Sequence, residues 1–406
     1  MSKTIYGPAL IAKIVFNCRQ LRPMNFEFSF GAGQGNATLR NKIAAIGHFS
    51  GQLGIGEASR RLLSLLDYVG YEIHTANFRL DRSASVPSKQ WKRMSRRSEY
   101  DTLITCVNAD LTGLAYVNAY LRLGNLQALR HVGFWSWELE NFPSAFDPAV
   151  NVVDEIWTVS EFAKRSIQKR SIARNVKALD LPLPENRLAK LNAFKRSTSR
   201  SMTVLVTYDA SSGEHRKSPS SAVRAYLAAF SELDGCNLVV KVANARRLDQ
   251  ELRLIEKIVS HRTDVTIIAK NLSPIAYSNL IDSTDVILSL HRSEGLGLNL
   301  IDAMSLGKVV VATGYSGNME YMNDTNSVPI KYELTPISMY ANVPVNSFWA
   351  TPSVEHAAAE LRSLRNNPNL RDEIGIQAMN YINLRYSLKK TGEDFITKIR
   401  DSDWTH

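Results

Sequence analysis

Two carboxylates and two cations are the residues best placed for charge chemistry. Glu294 and Asp302 flank a segment in which an apolar run ending at Leu290 passes through Gly295 and Gly297 into a helical pattern. A strand, a permissive turn and a helix start present unpaired N–H groups and partial positive charge, which suits a diphosphate. A capped surface helix, with acids favourable to its dipole, would leave a similar trace. Upstream, Arg216 and Lys217 stand in the polar stretch Tyr208–Pro219, ahead of another helical pattern. Two adjacent cations there can oppose an anion or form a solvated basic loop. Near the start of the chain, Gly51-Gln-Leu-Gly54-Ile-Gly56-Glu-Ala-Ser59 is a near miss to a dinucleotide fingerprint. Ser59 stands where the third glycine would, and no acidic residue closes the following strand.

The elements that must position these residues follow from periodicity. Apolar runs at Ile43–Phe49, Tyr71–Ala76, Thr102–Val107, His131–Trp135 and Glu155–Val159 read as strands. Helical stretches at Glu57–Tyr68, Leu111–Leu121 and Glu161–Gln168 separate several of them. The polar, Pro-containing stretch Leu181–Arg200 breaks the rhythm and reads as a linker. Alternation resumes with strands at Met202–Tyr208, Asn237–Val242, Val265–Ile268, Val286–Leu290 and Val309–Ala312. Helices are expected at Ser218–Leu233, Arg247–Val259, Pro274–Ser283 and Leu298–Leu306, with a helical tail from Ser353. Such alternation predicts an α/β protein with two open parallel sheets whose strand C-termini face a cleft.

Composition agrees with two domains. The chain has 406 residues, 44% hydrophobic and 22% charged. Cys18, Cys106 and Cys236 lie far apart in or beside apolar segments, which implies structural thiols in a reduced, cytoplasmic protein. No apolar run reaches the roughly 20 residues of a membrane span. The net charge of +10 calls for nucleic acid, anionic lipid or an anionic substrate, and no zinc-finger, RNP or basic-zipper pattern supports the first.

The segment Arg292–Thr313 resembles the retaining glycosyltransferases of family GT4, whose signature is an acidic residue, seven others, and a second acidic residue. Glu294 takes the first place and Asp302 the second, where the family usually has Glu. Three further segments are similar to bacterial members that build cell-surface polysaccharides: Ala312–Met322 with Asn326-Ser327, His131–Pro143, and Asp154–Phe162.

The resemblance implies a GT-B fold of two Rossmann-like domains facing a central cleft. An acceptor-binding domain would span 1–190, a nucleotide-sugar domain 201–375, and C-terminal helices, 376–406, would cross back to the first domain. It also implies retaining transfer of a sugar from a nucleoside-diphosphate donor, GDP-mannose ahead of UDP-sugars, to a glycan or lipid-linked acceptor. Glu294, Lys217 and Arg216 would be catalytic. Asp302 would hold the donor ribose, and Ser293, Gly295, Leu296, Gly297, Leu298, Gly54 and Gly56 would complete the donor site. Aromatics beside a carboxylate suit a sugar acceptor, and they suit a core equally. On the first reading Trp137, Glu138, His131 and His48 would bind the acceptor.

No cofactor and no metal are expected, since Asp401-Ser-Asp403 at the chain end is a poor metal site. An epimerase on the same fold and a non-catalytic sugar-binding protein remain alternatives, with a nicotinamide oxidoreductase weaker because of the defective fingerprint. Lys89, Trp91, Lys92, Arg93, Arg96 and Arg97 form a basic and aromatic segment that could hold the protein on the inner face of an anionic membrane.

Overall fold

In the computed structural model, residues 42–51, 53–78, 91–96, 98–126, 129–173, 175–184, 201–210, 214–245, 250–337, 343–344 and 346–400 are described. The apolar runs form two parallel sheets. The first comprises β1 (Lys42–Gly47), β2 (Glu72–Asn77), β3 (Lys92–Arg93), β4 (Thr102–Cys106), β5 (Arg130–Trp135), β6 (Glu155–Thr158) and β7 (Val176–Ala178). Their order is β3-β2-β1-β4-β5-β6-β7. The second comprises β8 (Met202–Asp209), β9 (Cys236–Ala243), β10 (Val265–Ile268), β11 (Val286–Ser289), β12 (Val309–Thr313) and β13 (Val328–Ile330), in the order β10-β9-β8-β11-β12-β13. Central strands such as Thr102–Cys106 and Val309–Thr313 are buried at every residue. Helices cover both faces, which explains why these strands read as continuous apolar runs without alternation.

Helices supply the other layers: α1 (Gly54–Tyr68), α2 (Ala109–Leu123), α3 (Asp147–Val150), α4 (Glu161–Gln168), α5 (Glu214–Lys217), α6 (Pro219–Ala229), α7 (Gln250–Ile258), α8 (Pro274–Asp282), α9 (Leu298–Ser305), α10 (Val354–Asn366), α11 (Pro368–Arg385) and α12 (Leu388–Arg400). Both sheet orders reverse direction once, between β1 and β4 and between β8 and β11. Loops leaving strands on either side of such a reversal diverge and open a crevice. The glycine turn leaves β1, the Arg216-Lys217 segment leaves β8, and the Glu294 turn leaves β11.

Three features depart from the sequence reading. Tyr332–Pro336 and Phe348–Pro352 pair as an antiparallel hairpin, β14 and β15, which apolar periodicity does not reveal because the first of these strands is largely exposed. Residue 375 falls inside α11, so a boundary there would cut a continuous helix. At the start of the expected linker, Leu181 and Leu183 are buried, and Leu183 N–H donates to Tyr386 O at 2.9 Å. The rest of that stretch, from 185 to 200, lies outside the described residues.

The two sheets share apolar packing. Ala58, Leu62 and Leu65 of α1 belong to one buried cluster with Leu300, Ile301 and Met304 of α9 and with Phe395 and Ile399 of α12. Phe395 meets Trp157 of β6 edge-on at 5.5 Å, and Lys398 Nζ donates to Ala178 O at 2.8 Å. Arg385 at the end of α11 pairs with Asp180 at 3.2 Å.

Candidate active site

At the reversal between β8 and β11, Lys217 and Arg216 meet Glu294. Lys217 Nζ forms a short ion pair with Oε1 of Glu294, and Arg216 Nη1 stands 3.4 Å from Oε2. Arg216 Nη1 also donates to Ser293 O at 2.9 Å, and its backbone carbonyl accepts from Arg292 N–H at 2.7 Å. Side-chain and backbone bonds thus tie the α5 segment to the Glu294 turn. Both Arg216 and Glu294 are 6% exposed. Burial alone would raise the Glu294 carboxyl, but Lys217 and Arg216 outweigh it and hold it down at about 2.

A third loop closes behind Glu294. Its N–H donates to Ser316 Oγ at 2.7 Å, and its carbonyl accepts from Gly317 N–H at 3.0 Å. Ser316 has φ 80° and ψ −149°, a region that a residue with a side chain enters only when its surroundings force it. Gly297 opens α9 at φ 86°, and the hydroxyl of Tyr321 pins that turn by donating to Leu296 O at 2.8 Å. The side chain of Leu296 is buried in the shared core. Leu298 is only partly buried against that cluster.

The N-terminal domain reaches the same place through the loop after β5. Ser293 Oγ donates to Glu138 O in a short bond, and Glu138 Oε1 lies 3.6 Å from Arg216 Nη2. Glu138, Arg216, Lys217 and Glu294 therefore form one charged cluster drawn from both domains.

Several expected residues sit elsewhere. His131 is fully buried in the N-terminal core, with Nε2 at 3.1 Å from Thr105 Oγ1 and Nδ1 at 3.1 Å from Val152 O, so a packed sheet interior replaces the acceptor role. Trp137 is edge-packed on Phe142 and Phe146, and its indole N–H donates to Asn141 O at 3.1 Å, which commits most of the ring to an aromatic cluster. His48 lies against Phe78 at 5.6 Å and is 8% exposed. Gly54 and Gly56 belong to the first turn of α1, not to a loop. At Gly56 a Cβ would come within 2.7 Å of His48 O, so the missing side chain serves the chain's own backbone; at Gly54 nothing lies within 4 Å. Asp302 is 6% exposed and bonded to Arg61 of the other domain, a partner 241 residues away that spacing could not suggest.

The membrane segment is partly committed too. Trp91 is packed, half-buried, against the core; Lys92 pairs with Glu72; and Arg96 donates to Arg122 O at 3.0 Å and to Leu121 O at 2.6 Å at the end of α2. Arg93 is exposed on the edge strand β3, and Lys89 and Arg97, like Asp401 and Asp403, lie outside the described residues. Among the described residues no helix is long and apolar enough to cross a membrane, and no group of three His, Cys, Asp or Glu could hold a metal ion.

His291 escaped the sequence reading. It is fully buried beside the Glu294 turn, with Nδ1 3.1 Å from Ser289 Oγ and Nε2 3.1 Å from Asn318 Oδ1. The available signal was a histidine at a strand end three residues before Glu294. Burial lowers its pKa, so the folded protein keeps it neutral. Its contribution is complete above about 6.5 and declines as pH falls below that, because the unfolded chain binds the proton first. Glu294 adds a second loss as pH falls from about 4.5 towards 2. Melting temperature is expected to fall on acidification from pH 7 to 5, and His291→Gln to flatten that first decline. An unchanged slope in the variant would show that His291 is not the group responsible.

Comparison with known proteins agrees with the fold. Residues 249–381 match the family model "Glycosyl transferases group 1". No curated protein matches the chain by sequence. Among solved structures, a glycosyltransferase from Rickettsia africae superposes with a TM-score of 0.63 at 13% identity, covering 90% of this chain and 99% of that one. HepE from Anabaena, in complex with UDP-glucose, gives 0.61 at 13% identity over 89% of this chain and 99% of that one. TarM of S. aureus, in a complex that includes UDP, gives 0.55 at 12% identity; the chain covers only 56% of its length. The two parallel-sheet domains are thus those of the GT-B fold, and residues 249–381 carry the sequence pattern of the group 1 glycosyl transferases.

Proposed function

We propose that this chain transfers a glycosyl group from a nucleoside-diphosphate sugar to a glycan or lipid-linked glycan, with retention at the anomeric carbon. The observation that carries the reading is the buried cluster of Glu294, Lys217 and Arg216 at the β8/β11 reversal, abutted by Glu138 across the cleft. Lysine has three N–H donors and arginine five, so both cations can serve Glu294 and a diphosphate together. As the bond from the anomeric carbon to the phosphate oxygen breaks, negative charge grows on the leaving diphosphate, and Lys217 and Arg216 stabilise it. The acceptor hydroxyl attacks on the same face and passes its proton to the departing phosphate oxygen. Glu294 holds hydroxyls of the donor sugar.

UDP-glucose in HepE and UDP in TarM support a uridine donor beside the GDP-mannose expected from the subgroup resemblance. Melting curves with UDP, GDP, ADP and CMP test the reading. One nucleoside diphosphate at 100 times its Kd should stabilise the fold by about 2.7 kcal/mol. No shift with any of the four would remove the donor site.

Lys217 and Arg216 can supply the positive charge that a leaving diphosphate needs, so transfer is expected to persist in excess EDTA. Complete loss, restored by manganese, would sink the metal-free mechanism. A membrane role rests on the surplus charge of +10, and salt-sensitive flotation with anionic but not zwitterionic vesicles is its test.

A further inference from the structure

Arg61 lies on the second turn of α1, 3% exposed, and reaches across the domain boundary. Its Nε donates to Glu57 Oε1 at 2.9 Å and its Nη2 to Asp302 Oδ1 at 2.7 Å. The remaining nitrogen, Nη1, is buried and has no hydrogen-bond partner in the protein. Glu57 is gripped on its other oxygen by Arg60, whose Nη1 donates to Phe49 O at 2.9 Å and Gly51 O at 3.1 Å. A chain of charged contacts therefore runs from the turn after β1, through Arg60, Glu57 and Arg61, to Asp302 on α9. That helix starts at the Glu294 turn.

A guanidinium that holds one oxygen of a buried carboxylate fixes its direction. A buried side-chain N–H without an acceptor in the protein calls for an explanation, and a bound molecule that completes the bonding is one. Here the two lie side by side, one an acceptor and one a donor. A vicinal diol, in which each hydroxyl both donates and accepts, matches that pair. We infer that Arg61 is a positioning residue for the donor's ribose: it aims Asp302 at the sugar hydroxyls and donates Nη1–H to one of them. This inference rests on the nucleotide-sugar reading above. It also gives the shorter Asp at position 302 a partner that fills the remaining reach to the ribose.

The test is calorimetric titration of the full chain with UDP and GDP and with their 2′-deoxy and 3′-deoxy forms. The wild type should prefer the ribonucleotide by about tenfold or more over at least one deoxy form. Arg61→Met should bring that ratio to about one while leaving the affinity for the same deoxynucleotide near wild type, and Arg61→Lys should fall between. In transfer assays the donor KM should rise about tenfold with kcat little changed. Should Arg61→Met fail to fold, Glu57→Gln, which loosens Arg61 without removing it, should lower the same ratio. A ratio that survives in the folded variants overturns the inference, as does a wild type that binds ribo- and deoxynucleotides equally. A wild type that binds no nucleoside diphosphate brings down the functional reading itself, and this inference with it.

Discussion

Glu294→Gln and Lys217→Ala should each slow transfer by roughly 10²–10³-fold, the usual consequence of losing one oriented electrostatic contact at a reacting centre. Glutamine keeps the shape of Glu294 and can still accept from Lys217, but it no longer offsets the paired cations. Melting temperature should fall in Glu294→Gln, because two cations lose a buried counter-charge. The fold should persist, since Arg216 keeps Ser293 O and the Glu138 carboxylate as partners. Lys217→Ala removes the more exposed of the two cations, at 18% against 7% for Arg216, and should cost less stability for a similar loss of rate. Circular dichroism separates unfolding from loss of chemistry. Near-wild-type turnover in either folded variant would take that residue out of the mechanism.

An equally large effect is expected at a residue with no functional group. A Cβ at Gly317 would stand 2.0 Å from Gly295 O and 3.0 Å from Glu294 O, contacts that only backbone movement could relieve. Gly317→Ala should therefore push the Glu294 turn away from Lys217, lowering transfer at least 10²-fold and stability by roughly 1–3 kcal/mol. Gly54→Ala is the contrasting case, with nothing within 4 Å of the added carbon. It should leave stability unchanged or slightly raised. Loss of transfer in a fully stable Gly54→Ala would mean that a ligand approaches that face of α1. A Gly317→Ala protein with normal melting and normal rates would show that the two loops move independently.

The architecture was legible because parallel strands buried on both faces write themselves as unbroken Val, Ile and Leu runs, as in Val309–Ala312. That Lys217 and Glu294 come together was legible for a related reason: both follow strands of the second sheet, and a single reversal of strand order makes those strands neighbours. What escaped depends on contacts between distant residues. Arg61 reads as one more basic position on an amphipathic helix until Asp302 is found beside it. Trp137 reads like a sugar platform, yet its ring packs edge-on against Phe142 and Phe146, with its N–H given to Asn141 O at 3.1 Å. Spacing shows that such a residue is unusual, and only packing shows which way it faces. His291 was missed because a buried histidine with two neutral partners leaves no charge pattern in the sequence.

The seating of α12 on the first domain bears on synthesis as well as on shape. Phe395 and Ile399 fill the same core as Leu62 and Trp157, and Gly392 leaves room for the ring of Tyr68 at the end of α1. The first sheet is therefore translated long before the helix that finishes its packing. A ribosome at about 5–20 residues per second needs many seconds to cover the distance from β6 to α12. Through that interval the Trp157 face lacks its cover. The first domain and α12 therefore finish packing together, so a truncation just before α12 should expose apolar surface in the first domain, far from it in sequence.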